Sequence, residues 1–145
     1  MNIPEYPHPD FVPLVFDYRD WLIRKAKSMR ARDRDRWGGL NLTQDNYRTM
    51  IHNAISGSNG RCYFTRELLD WNLLGEPFRG DPLHPMNCRL HPTVDHLDPW
   101  PNIQLVVCGG LVNDAKSNLP YGEFVALCRQ VIECDRQRQD RQNGA

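Results

Sequence analysis

The chain has 145 residues, enough for one domain that buries roughly 68–70% of the surface its unfolded form would expose. With 40% hydrophobic and 25% charged residues it reads as globular, which excludes a fibrous or wholly disordered protein. Eighteen basic residues balance eighteen acidic ones, which excludes a protein that wraps nucleic acid by net charge alone.

The opening Met1-Asn2-Ile3-Pro4-Glu5 lacks a basic region followed by an apolar one, and no apolar run approaches ~18 residues. A cytoplasmic protein with no membrane partner is expected. Five scattered cysteines (Cys62, Cys88, Cys108, Cys128 and Cys134) are an odd number, so reduced thiols are expected over a disulfide framework.

Residues 1–13 form a proline-rich arm, with Pro4, Pro7, Pro9 and Pro13, that becomes ordered only by docking. A helical part over 14–60 follows. From about Leu14, the residues Leu14, Tyr18, Trp21, Leu22 and Met29 recur at spacings of three and four, the stripe of an amphipathic helix. Eight basic residues against three acidic ones lie between Arg19 and Arg36. This is a solvated charged face on the plainest reading, and Arg30 and Arg34 are its candidate substrate contacts.

Trp37-Gly38-Gly39 ends that helix, and Thr43 caps a second. There Leu42 and Tyr47 have the spacing of a hydrophobic staple, and Tyr47, Met50, Ile51 and Ala54 form the apolar face. Gly57 or Gly60 stops the helix. His52 reads as a packing or surface residue.

Residues 61–134 form the next unit. Cys62-Tyr63-Phe64 predicts a short extended segment, Thr65 to Trp71 one or two helical turns, and Gly75 to Pro92 a long irregular loop. Thr93 to Leu97 and Ile103 to Cys108 predict a hairpin turned at Asp98-Pro99-Trp100-Pro101. A short helix from Leu111 to Lys116 follows the Gly109-Gly110 break.

Pro120 opens a last helix whose Phe124, Leu127, Cys128, Val131 and Ile132 hold the i, i+3, i+4, i+7, i+8 pattern, which predicts packing on the core. The polar tail over 135–145 prolongs this helix into solvent or frays.

The chemistry concentrates between Pro92 and Ser117. Asp95 is a hard oxygen ligand suited to a magnesium-like ion, and Asn113 offers an amide oxygen as a second one. His96 titrates near neutrality and can take a proton from water. Neighbours on a strand point to opposite faces unless the strand bends, so the pair Asp95-His96 needs a bend or an end there. Asp98 and Asp114 lie close in sequence, with turn and helix-start roles as their plain reading.

In order, Asp95-His96, Asn102 and Asn113, with Ala115-Lys116 after it, resemble the HNH endonucleases. The resemblance is loose over 61–133 and close over 94–116. It implies an α+β single domain in which helices flank a ββα-metal (His-Me finger) unit. It further implies His96 as general base, Asp95 and Asn113 as metal ligands, and Asn102 as the residue holding the loop that orients His96. Lys116 is a candidate phosphate contact. The implied cofactor is Mg2+ or another divalent cation such as Mn2+, and the implied partner is DNA, with RNA as a variant substrate.

Relatives often carry two Cys-x-x-Cys pairs around such a unit. Here the second positions are Thr65 and Leu111, so structural zinc is not expected, and Cys62 and Cys108 read as small packing residues. Cys62, Cys88, His91 and Cys108 are the weaker, tetrahedral alternative. The rival reading of the whole chain is a degenerate module that binds nucleic acid or a protein partner without cleaving.

Overall fold

The computed structural model describes residues 6–38, 41–77, 88–98 and 103–144. The first helix, α1, spans Tyr18–Trp37. It begins four residues later than the apolar spacing predicts, because the Asp17 carboxylate accepts the Asp20 N–H and caps the helix there. Leu14 lies in the preceding turns and is 90% exposed, so it leaves the expected stripe. Gly38 closes the helix with a positive φ of 61°.

Thr43 caps α2 (Gln44–Ser58). Its hydroxyl accepts the Asn46 N–H while the Asn46 side chain accepts the Thr43 N–H, a reciprocal box that satisfies two end donors. Asn59, left-handed at φ 52°, ends the helix in place of the expected glycine.

The arm docks from residue 6 onward. Val12 is buried, Phe11 stands 4.5 Å from the Trp71 ring, and Tyr6 stands 4.9 Å from the His52 ring. Thr65 to Trp71 does not form the predicted helical turns. The Cys62 N–H donates to Glu67 O, the Arg66 N–H donates to Cys62 O, and Arg66 takes a φ of 63°, so the chain folds back as a tight loop. A 3₁₀ turn, Trp71–Leu73, comes after it.

The hairpin forms as expected. Strand β1 (Pro92–Asp98) pairs antiparallel with β2 (Gln104–Gly109), Val94 facing Val107 and His96 facing Leu105. The predicted turn at Pro99 to Pro101 lies outside the described residues. Helix α3 (Gly110–Lys116) follows β2 directly, and α4 (Tyr121–Asn143) ends the described chain.

Among the described residues the fold is thus α+β, four helices and one two-stranded antiparallel sheet around a single core. That core joins Leu22, Ala26 and Met29 of α1 to Tyr47, Ile51 and Ile55 of α2 and to Val94 and Val107 of the hairpin. The sheet is too small to stand alone, and α2 covers it. No helix among the described residues is long and apolar enough to cross a membrane.

Helix α4 corrects the sequence expectation. Only Phe124 is buried, against Phe64, while Leu127, Val131 and Ile132 are about half exposed or more and Cys128 is exposed. The helix leaves the body after its first turn, whose Tyr121 N–H donates to the Asp98 carboxylate at 2.9 Å. The polar tail continues it to Asn143.

Candidate functional site

A cleft of about 240 Å³ opens where α1, β1 and α3 meet, and Asp33, Asp95, His96 and Asn113 line it. Two consecutive strand residues, Asp95 and His96, line the same cleft, next to a shift in the pairing register between His96 and Asp98. Such a bulge inserts an unpaired residue, bends the strand and re-aims its side chains. Asp95 and His96 are both half-buried, breaking the alternation of their strand. Their ring-to-carboxylate approach is 3.5 Å, Nδ1 to Oδ1.

The other side of the imidazole is held from outside the hairpin. His96 Nε2 lies 2.8 Å from Asp33 Oδ2, and the Tyr47 hydroxyl donates to that same oxygen at 2.6 Å. Asp33 is 2% exposed. Trp37 packs edge-on against the His96 ring, 5.2 Å between centroids. Burial alone would lower the His96 pKa, but the hydrogen bond to Asp33 and the neighbouring charges of Asp33 and Asp95 override it and hold the ring above its ordinary value. Burial would likewise raise Asp95, and the adjoining imidazole and Lys116 bring it below its ordinary value instead.

Asp33, Tyr47 and Trp37 are the site residues that motif reasoning misses. A signal for Asp33 exists in the sequence. It continues the row Leu22, Ala26, Met29 at spacings of four, three and four, so a carboxylate sits on the buried face of the helix, the one fully buried charge there among the described residues.

Asn113, in the first turn of α3, presents an Oδ1 that is buried and reached by no hydrogen-bond donor among the described residues. An unsatisfied buried acceptor costs about 1–3 kcal/mol, so a group that fills it is favoured. No set of three or more His, Cys, Asp or Glu is placed to hold a metal ion among the described residues. Of the carboxylates that line the cleft, Asp33 is engaged by His96 and Tyr47, which leaves Asp95 and Asp114, with the Asn113 amide oxygen, as oxygen donors. They fit a hard cation that keeps several of its own waters.

The remaining predicted residues are placed as follows. Lys116 is buried, and its Nζ donates to the His96 carbonyl at 3.2 Å, bracing the strand on which the imidazole sits. Arg30 donates to the Leu42 carbonyl at 2.8 Å, and Arg34 is exposed on α1 without lining the cleft. The arginines at the cleft are Arg32 and Arg36. Asn102 lies outside the described residues.

Cys62 and Cys108 are buried in the core cluster, and burial pushes the Cys108 thiol up to about 12, a protonated packing group. Cys88 and His91 are buried beside the start of β1.

No family model, curated protein or solved structure matches the chain.

Proposed function

We propose that this chain is a divalent-metal-dependent DNA endonuclease of HNH type, in which β1, β2 and α3 serve as a ββα-metal unit. The observation that carries the reading is the convergence in one cleft of Asp95, His96 and the buried Asn113 oxygen, which has no partner among the described residues. Asp95 and Asn113 would hold Mg2+ or Mn2+, and a divalent ion there supplies charge stabilisation for a cleaved phosphodiester. Asp95 is suited to this, since its lowered pKa keeps it ionised and its side chain is the more exposed of the two carboxylates on His96. His96 takes the proton of the attacking water.

The deciding experiment is nicking of supercoiled plasmid with and without Mg2+ or Mn2+, wild type against His96→Ala. The wild type is expected to nick only with the ion, and the variant to lose ~10²–10⁴ in rate. Folded wild type that cleaves neither plasmid nor labelled RNA overturns the reading. One observation favours the rival binding module: both ring nitrogens of His96 already face carboxylates. That rival gives salt-sensitive DNA binding with no cleavage.

A further inference from the structure

We infer that Asp33 is a positioning residue for His96: accepting from Nε2, it keeps the ring proton on that nitrogen and leaves Nδ1, on the Asp95 side, to accept a proton. The role in cleavage rests on the endonuclease reading, whereas the hold on the ring is a property of the fold. An ionised carboxylate has no hydrogen to give, so a neutral imidazole facing one must carry its proton on the facing nitrogen. Asp33 faces Nε2 at 2.8 Å, a full hydrogen bond, while Asp95 stands 3.5 Å from Nδ1, too far to be one. The two contacts are unequal in the direction that frees Nδ1.

Asp33 is itself fixed. The Tyr47 hydroxyl donates to the same Oδ2 at 2.6 Å, and both residues are almost fully buried on two different helices. A Tyr–Asp–His chain thus ties the orientation of a hairpin side chain to the packing of α1 against α2. Trp37, nearly perpendicular to the ring, and Lys116 on the His96 carbonyl limit the ring and its backbone from two further sides. A base held by a third group in one tautomer is what general-base chemistry requires of its geometry.

The test combines ring-nitrogen NMR with kinetics on the full-length protein. With ¹⁵N-labelled histidine, at alkaline pH where the ring is neutral, wild-type His96 is expected to show the Nε2–H tautomer. In Asp33→Asn the amide can donate to Nε2, so the proton is expected to shift toward Nδ1. Plasmid nicking should then fall by ~10²–10⁴ in kcat with KM little changed. Tyr47→Phe, which keeps the carboxylate, should retain the Nε2–H tautomer and lose less.

The wild-type spectrum needs no variant to fold, and a neutral ring protonated on Nδ1 overturns the inference by itself. Wild type and Asp33→Asn nicking at the same rate overturn it as well, and leave the endonuclease standing. An Nε2–H ring in a protein that never nicks DNA supports Asp33 as the holder of the ring and removes the endonuclease.

Discussion

Asp33 and His96 are 63 residues apart in sequence and 2.8 Å apart in space, and their contact joins the helical half of the chain to the hairpin. A carboxylate this deeply buried is tolerable only with partners, and among the described residues it has two, the imidazole and the Tyr47 hydroxyl. His96→Ala removes one of them. We expect a loss of about 1–3 kcal/mol in urea unfolding, and a smaller one for His96→Gln, which keeps a donor. An unchanged midpoint for His96→Ala would show that water replaces the ring at no cost.

His96 and His52 should respond to pH with opposite signs. The folded-state pKa of His96 is raised above 6.5, so its contribution to stability is complete below that value and is lost as pH climbs through the raised one. Burial lowers His52, which sits between the Tyr18 hydroxyl at 2.8 Å and the Ser56 hydroxyl. Its contribution is complete above 6.5 and is lost as pH falls through the lowered value. Urea midpoints taken across about pH 5 to 8 should show a shallower alkaline decline in His96→Gln and a shallower acid decline in His52→Gln. The same slope in wild type and variant would remove the assignment for that residue.

Local signals carried much of this fold into the sequence. Thr43 as a cap, the Gly38 stop, the hairpin over β1 and β2 and the helix after Gly109-Gly110 all depend on residues within a few places of one another. What depends on distant partners was not legible. The stripe in α4 has helical spacing, yet spacing states only that one face is apolar, and Leu127, Val131 and Ile132 find no core to meet. The site divides in the same way. Asp95, His96 and Asn113 belong to one contiguous motif, whereas Asp33 and Tyr47 join them only because α1 and α2 pack together. The register shift at Leu97, beside Asp95 and His96, leaves no mark in residue type.

Helix α1 should separate phosphate contact from structural support among its own arginines. Arg36 lines the cleft, while the Arg30 Nε is committed to the Leu42 carbonyl where α1 meets the lead into α2. On the endonuclease reading, Arg36→Ala should weaken DNA binding and reduce the slope of log affinity against log salt by about 1. Arg30→Ala should leave that slope intact and cost about 0.5–1.5 kcal/mol of stability, the worth of one hydrogen bond. Fluorescence anisotropy across a salt series with urea unfolding distinguishes the two. Identical salt slopes for Arg36→Ala and wild type would remove Arg36 from the contact surface.

Gly109 ends β2 and begins α3, and the space there forces its identity. Its φ of −74° suits any residue, but a Cβ would lie 2.1 Å from the backbone oxygen of Arg89. That oxygen belongs to the turn leading into β1, whose His91 carbonyl accepts the Gly110 N–H at 3.0 Å. Backbone cannot yield as a flexible side-chain end can, so Gly109→Ala must push α3 away from the hairpin. We expect a cost of about 1–3 kcal/mol, in the range of overpacked cores. Asn113 lies four residues further along α3, so the same displacement should reduce nicking beyond what lost stability explains. Gly57→Ala is the control: no atom lies within 4 Å of its added Cβ and the position is inside α2, so it should gain about 0.5–1 kcal/mol. Equal urea midpoints for Gly109→Ala and wild type would show that the turn at Arg89 gives way, and that the α3 start does not depend on close approach.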